Sequence, residues 1–370
     1  MVDTSIPFDY HQMHKYLNEI GTYLAELHYI DQVFAHMDGI ESSSWEVFAE
    51  IAAAGTASGS WVTVEFTGTV SFSRMWRVPP PFPPRMIWQD SVEEEIRKQI
   101  EEYQTKASGW ASANMDSIRL MVKPLAHPTG SVYLNDLIQP VRDALARLED
   151  SVTHDFGKLR HSLGNWSGEA ADDFATNFYN PFEYTLASHH RMLAALVTGL
   201  EAAHTTVDLT QQSLMNVLKA TRDALLEQLR RRPQQAAAQQ QEQSTKHAMI
   251  IVSAFVPMAK GRDLWANSLD MASAGTSAVA SGAAPRSMDG HALTGGTAEE
   301  LLHALTDAIT IIDQRSNGQY EDLDGQVTGA LARMESIRDT PDGEDGRLVP
   351  RQPRLLDGTN SSDFHLPRAR

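Results

Sequence analysis

The sequence contains no cysteine among its 370 residues. Disulfide bonds, iron–sulfur clusters and thiol catalysis are therefore excluded. Basic residues are also scarce, since 31 Lys and Arg stand against 48 Asp and Glu and give a formal net charge of −17. This excess of negative charge disfavours binding to the phosphate backbone of nucleic acids, so no nucleic-acid partner is expected.

Long hydrophobic runs are missing as well. The most apolar stretch, residues 249–258, is roughly half as long as a bilayer span requires, so no transmembrane segment is expected. Residues 1–20 lack the basic start and the apolar run of a signal peptide. If the protein leaves the cell, the sequence therefore predicts a route that does not read a classical signal.

The motifs of common catalytic and nucleotide-binding sites are absent. The patterns GxGxxG, GxxxxGK[ST], HExxH and GxSxG do not occur. His11 and His14 lie three residues apart, but no cluster of Cys or carboxylate residues completes a zinc site around them. We therefore predict no catalytic residue, no metal site and no cofactor, and we interpret the chain as a protein that is not an enzyme.

Apolar residues at helical spacing dominate what the sequence does contain. A first series, with steps of three or four residues, comprises Leu134, Ile138, Val141, Leu145, Leu148, Val152, Phe156, Leu159 and Leu163. A second series comprises Phe174, Phe178, Phe182, Leu186, Leu193, Leu196, Leu200, Val207, Leu214, Leu218, Leu225 and Leu229. Two long amphipathic helices separated by a short break predict an antiparallel helical hairpin over residues 130–232. Neither apolar stripe is covered by its own helix, so we expect each to pack against the other and against a third partner.

The remaining regions differ in composition and pattern. Residues 61–72 alternate with period two and are rich in β-branched and aromatic types, which predicts a short β hairpin within a mostly helical region 1–129. Residues 233–296 are interpreted as a linker rich in Ala, Ser and Gly, 297–338 as C-terminal helices, and 339–370 as a disordered tail. The predicted fold class is mainly α: a long antiparallel helical hairpin or bundle with a small β element.

The break between the two long helices carries residues suited to a turn. Gly164 is expected to end the first helix in a left-handed conformation, and Ser167 is expected to cap the second. Trp166 places a large indole at the turn, and Gly168 allows another backbone to approach closely. Acidic residues follow at the start of the second helix, where the helix dipole favours them.

The sequence Trp166-x-Gly168 between two long helices, followed by Ala170, Ala171 and Phe174, resembles the WXG100 (ESAT-6-like) family. In that family a Trp-x-Gly turn joins two antiparallel helices of a hairpin. The resemblance implies that Trp166 and Gly168 serve as a recognition motif in type VII secretion. In size the chain is closer to larger relatives of the family, such as PPE proteins, LXG-type toxins and secreted ESX-associated proteins.

The same family combines the turn with a Tyr-x-x-x-Asp/Glu export signal, and two tyrosines match this pattern. Tyr179 with Glu183 lies directly after the turn, which is an unsuitable position. Tyr320 with Asp324 lies late in a helical segment. The resemblance therefore implies that Tyr320 and Asp324 form the second half of the signal; the alternative is an ordinary, partly buried tyrosine.

The resemblance implies a helical interaction component or substrate of a type VII (ESX-like) secretion system, secreted or at the cell surface. Its partners would be the secretion machinery and another helical hairpin, either a WXG100-like protein or a second copy of this chain in a homo-oligomer. The predicted packing face consists of Leu145, Leu148, Val152, Leu193, Leu196 and Leu200. Another hairpin would cover it, either within this chain (residues 8–122 or 297–338) or on a second protein.

Two alternatives stay open at this point. A cytoplasmic scaffold or phage-like assembly protein would share only the hairpin. An enzyme would need a site around the 61–72 strand region that no motif reveals. Secreted toxins of the family place an enzyme after the hairpin, whereas the residues after 232 form a linker, helices and a polar tail, and this disfavours a toxin domain.

Overall fold

A computed structural model describes residues 8–43, 60–78, 88–126, 130–237, 247–252, 288–293 and 296–339. The helices are α1 (Tyr10–Ser43), α2 (Trp88–Leu125), α3 (Gly130–Asp150), α4 (Phe156–Leu163), α5 (Glu169–Phe174), α6 (Asn180–Ala237) and α7 (Ala298–Asp339). Two π-helical turns, Ser151–Asp155 and Ala175–Tyr179, follow α3 and α5. The strands are β1 (Ser60–Phe66), β2 (Phe72–Val78), β3 (His247–Val252) and β4 (Met288–Leu293). The predicted mainly α fold class is confirmed.

The first β element is an antiparallel hairpin of β1 and β2, with Phe66 paired to Phe72 next to the turn. The turn falls inside residues 61–72, for which a short hairpin was predicted, and Glu26 of α1 holds it in place. The carboxylate of Glu26 accepts hydrogen bonds from the Thr69 amide at 3.0 Å and the Thr69 hydroxyl at 2.9 Å. A Cβ at Gly68 would lie 2.9 Å from Cδ of Glu26, so a larger residue here would push this carboxylate away from Thr69.

A second two-stranded antiparallel sheet pairs β3 with β4. Both strands lie within residues 233–296, which the sequence analysis interpreted as a linker. Helix α6 also extends into that range and ends at Ala237.

Tertiary contacts divide the chain into two compact units. Of the described residues, the bundle unit contains α1, α2, the four strands, residues 208–237 of α6 and residues 298–316 of α7. The hairpin unit contains α3, α4, α5, residues 180–207 of α6 and residues 317–339 of α7. Each unit is therefore discontinuous in sequence, which differs from the consecutive domains expected from composition.

Buried apolar residues at helical spacing form the core of the bundle unit. They are Leu17, Ile20, Leu24 and Leu27 of α1, Met115 and Ile118 of α2, Leu214, Leu218 and Leu225 of α6, and Leu301, Leu305 and Ile309 of α7. Steps of three or four residues place each set on one face of its helix. Helices α1 and α2 run antiparallel, since Arg119 donates to Asn18 at 3.2 Å while His28 stacks on Trp110 farther along.

Helix α7 is one continuous helix, where the sequence analysis predicted more than one. Glycines at 318, 325 and 329 lower its helix propensity, but no proline interrupts it. Buried residues recur along it from Leu301 to Ile337, so packing outweighs the cost of the glycines.

A buried ion pair connects α1, the end of α6 and the start of α7. Asp31 accepts a hydrogen bond from the Ala298 amide at 3.1 Å and pairs with Arg232, which also donates to the Gly296 carbonyl at 2.8 Å. Burial raises the pKa of Asp31 to about 6, because desolvation of the carboxylate outweighs the attraction of Arg232.

His28 is buried in the contact between α1 and α2. Its ring lies 4.0 Å from the Trp110 ring between centroids, and Nε2 of Gln32 lies 3.0 Å from its Nε2. Burial lowers the pKa of His28 below its usual 6.5, because the charged ring would be desolvated, and Glu299 offsets this only in part. The folded chain therefore favours the neutral form of His28 at neutral pH.

The unfolded chain binds a proton at His28 more tightly than the folded chain does, so the free energy of unfolding should fall as the pH drops through about 6.5. The substitution His28→Phe keeps an aromatic ring against Trp110 and removes the titrating nitrogens. We expect urea unfolding of this variant to show a smaller loss of stability between about pH 7.5 and about pH 5. His11→Phe, at an exposed position, is the control and should follow the unmodified chain. An equally steep loss in the His28 variant would contradict this assignment.

Candidate interaction site at the hairpin turn

The chain reverses direction between α4 and α5. The first arm comprises α3, its π turn and α4; the second arm comprises α5, its π turn and α6 up to residue 207. Near the turn, Phe156 stacks on Tyr179 with ring centroids 5.1 Å apart. Farther from the turn, Nε of Arg142 donates to Glu201 at 2.9 Å. With distance from the turn, the residue number of the contact partner falls on the first arm and rises on the second, which defines an antiparallel hairpin.

Gly168 is the residue with left-handed backbone in this turn. Its φ is +107° and its ψ is 172°, whereas Gly164 has a φ of −61° and remains right-handed. The expectation that Gly164 adopts the left-handed conformation was therefore wrong. The first helix ends instead through the amide of Gly164, which donates to Arg160 at 3.1 Å, and that of Trp166, which donates to Leu163 at 2.9 Å.

Gly168 also occupies the N-cap position of α5, which the sequence analysis assigned to Ser167. No side chain caps this helix; the carbonyl of Gly168 accepts hydrogen bonds from the amides of Ala171 at 2.9 Å and Asp172 at 3.1 Å. The N-cap was therefore predicted one residue too early, at Ser167 instead of Gly168, because serine and glycine are both favoured at N-cap positions.

Trp166 lies at the tip with 46% of its surface exposed. On one side its ring approaches Phe174, with centroids 5.6 Å apart. Further ring contacts continue from Phe174 to Phe178 at 5.1 Å and from Phe178 to Phe182 at 5.9 Å. We call Trp166, Phe174, Phe178 and Phe182, together with Phe156 and Tyr179, the aromatic ladder.

The aromatic ladder was not recognised as a unit from the sequence. Its signal was present, because Phe174, Phe178 and Phe182 follow one another at four-residue steps. This spacing brings rings together on one helix face. From the sequence these residues were predicted only to belong to a general apolar stripe.

The two helices that meet at the turn carry opposite charges on exposed side chains. Helix α4 bears Arg160 in its last turn and Lys158 one half-turn earlier. Helix α5 bears Glu169 and Asp172 in its first turn, followed by Asp173. Both arrangements match the helix dipole, so they stabilise the ends of the helices as well as giving the tip a charge pattern.

Part of the predicted packing face is used inside the hairpin. Leu145 is buried against Ala194 and Val197, and Leu193 packs on the same cluster. Leu148 and Leu193 also line a cleft of about 690 Å³ between α3 and α6. Leu145 therefore faces the second arm and is not available to a separate protein.

The other predicted packing residues have different surroundings. Leu196 is 48% exposed, whereas Leu200 is half-buried. The side chain of Val152 lies outside the described part of the structure. Among the described residues of the predicted packing face, Leu196 is therefore the one whose side chain points outward.

The tyrosines of the predicted export signals lie in different environments. Tyr179 is buried and stacked on Phe156. Tyr320 lies partly exposed on α7, and Asp324 is exposed one turn later. The buried part of the Tyr320 side chain raises the pKa of its hydroxyl, because the charged form would be desolvated. Tyr320 adjoins Gln319, which contacts Thr206 at 3.2 Å. Because the second arm is helical from near Trp166 to Thr206, Tyr320 lies on the order of 50 Å from Trp166, and the two halves of the predicted signal are not brought together.

Comparison with known proteins identifies no relative: no family model, curated protein or solved structure matches the chain. Among the described residues, no group of three His, Cys, Asp or Glu side chains is placed to hold a metal ion. Within the same residues, no helix combines the length and the apolar character needed to cross a bilayer. The geometry of the hairpin turn is therefore the basis for a functional proposal.

Replacing Gly168 with alanine should weaken the turn through backbone strain alone. A Cβ at this position would meet no atom within 4 Å, but φ of +107° with ψ of 172° is a region that essentially only glycine adopts. We expect Gly168→Ala to lower the free energy of unfolding by about 1–3 kcal/mol in urea titrations. Gly164→Ala, at a right-handed position, is the matched control and should change stability far less. Equal stabilities of the two variants would show that Gly168 is not the left-handed residue.

Proposed function

We propose that this chain is a helical interaction component or substrate of a type VII (ESX-like) secretion system, secreted or displayed at the cell surface. It works by association of helices and not by catalysis. The observation that carries the proposal is the exposed indole of Trp166 on a reversing turn, two residues before a glycine whose backbone only glycine adopts readily.

The tip has the features of an anchor for protein recognition. Tryptophan is enriched among residues that dominate binding energy, because a large rigid ring buries much apolar area at a small cost in conformational entropy. The contact with Phe174 positions the ring of Trp166 while leaving nearly half of it open. Basic residues on α4 and acidic residues on α5 would orient an approaching partner.

The sides of the hairpin support a second contact, with another helical hairpin. Leu196 is exposed on α6, and the cleft beside it is lined by Leu148, Met192 and Leu193. A WXG100-like protein or a second copy of this chain would cover these apolar side chains by packing helix against helix. Tyr320 and Asp324 would then act as a separate recognition element, since they lie far from the turn.

The proposal is tested by following export of a tagged chain in a host that carries a type VII secretion system. Trp166→Ala should reduce the fraction of the protein in the medium by about tenfold or more, because loss of such an anchor typically costs that much in affinity. Its folded state should be unaffected by circular dichroism and urea titration, since the ring is half exposed.

Tyr184→Ala is the matched control, because Tyr184 is a 61% exposed aromatic residue on the same hairpin but away from the turn. It should be exported like the unmodified chain, with a cytoplasmic marker excluding lysis. Export of the Trp166 variant at the unmodified level would contradict the recognition role. Retention of the unmodified chain inside the cell would favour a cytoplasmic scaffold instead.

A further inference from the structure

Each arm of the hairpin contains one π-helical turn, and the two turns lie opposite each other. In the first arm the amide of Phe156 donates to the carbonyl of Ser151, five residues earlier. In the second arm the amide of Asn180 donates in the same way to Ala175. The stack of Phe156 on Tyr179 joins the ends of these two turns. A π turn accommodates an extra residue within an α-helix and is frequent at functional sites.

The contacts between the arms differ on the two sides of this level. Away from the tip, Leu145 is buried with Ala194 and Val197, and Arg142 pairs with Glu201. Towards the tip, α4 contains no buried residue and α5 contains one, Ala171. A segment that buries so little opens at a lower free-energy cost than the packed arms.

We propose that the paired π turns form a joint about which the tip, residues 156–174, opens as a unit separate from the arms. Opening parts Phe156 from Tyr179 and from Phe182, on which it also stacks with centroids 5.3 Å apart. The aromatic faces released in this way are the surface that a partner of the tip would cover. This role for the opened state rests on the proposed function, whereas the joint is a property of the isolated chain.

Proline explains why one of the two turns is tolerated where it lies. Pro181 has no amide hydrogen, so the carbonyl of Asn177 cannot receive the usual α-helical bond from residue 181. The second arm therefore widens at Ala175–Tyr179 with less loss of hydrogen bonding than elsewhere in the helix.

Hydrogen exchange of the full chain, read by mass spectrometry, tests the joint directly. Amides of residues 156–174 should exchange at least about tenfold faster than those of residues 141–150 and 190–201, with a step at both π turns. Uniform exchange along both arms up to the tip, or a step at only one of the two π turns, would overturn the proposal.

A paired deletion provides the second test. Removing His154 and Thr176 together takes one residue from each π turn, at positions that are exposed. The deletions are made together with Pro181→Ala, which restores the amide that proline lacks. Both arms then become regular α-helices, so the step in exchange should disappear and the tip should exchange more slowly. The substitution pair His154→Ala and Thr176→Ala, also combined with Pro181→Ala, keeps the chain length and should retain the step. A step that persists in a folded deletion variant contradicts the joint; if that variant does not fold, the profile of the unmodified chain decides.

The outcomes separate the joint from the recognition role. Exchange is measured without any secretion component, so a uniform profile overturns the joint and leaves the export result for Trp166→Ala standing. Conversely, normal export of Trp166→Ala overturns the recognition role even where the step in exchange is present.

Discussion

The hairpin unit depends on the left-handed backbone at Gly168, which lets two amphipathic helices fold back on each other. Without the reversal, Leu145 on one arm and Ala194 and Val197 on the other would leave their apolar surfaces in water. With it, the arms align so that Arg142 meets Glu201 far from the turn. The same reversal places Trp166 at the outermost point of the hairpin, so folding and display of the indole share one cause.

The long helices α6 and α7 serve two cores. Each contributes one segment to the bundle unit and one to the hairpin unit, and they run antiparallel to each other within both. In the hairpin unit Gln319 contacts Thr206, and in the bundle unit Ser316 contacts Thr210 at 3.2 Å. A chain without cysteine thus relies on burial, together with ion pairs such as that of Asp31 with Arg232, to hold distant segments together.

Much of the helical framework was predictable because helical periodicity is a local property. The steps of three and four residues located both arms, and the Trp166–Gly168 segment marked the turn. Periodicity shows that a stripe is apolar but not which element covers it. For this reason Leu145 was assigned to a contact with another hairpin although it packs inside its own, and the sharing of α6 and α7 between two units was not predicted. The choice between Gly164 and Gly168 depended on backbone angles that residue type alone does not distinguish.

The reversal itself is tested most directly by a cross-link between the two arms. The absence of native cysteine means that Arg142→Cys combined with Glu201→Cys gives the chain two thiols and no others. The native side chains at these positions are in contact across the hairpin, whereas one uninterrupted helix would separate the positions by about 90 Å. A short bis-maleimide reagent spans the gap that the two long native side chains fill. The account predicts an intramolecular cross-link by this reagent in the folded chain, and none when Arg142→Cys is paired with Asp172→Cys beside the turn. A cross-link absent from the first pair, or present only between separate chains, would contradict the antiparallel hairpin.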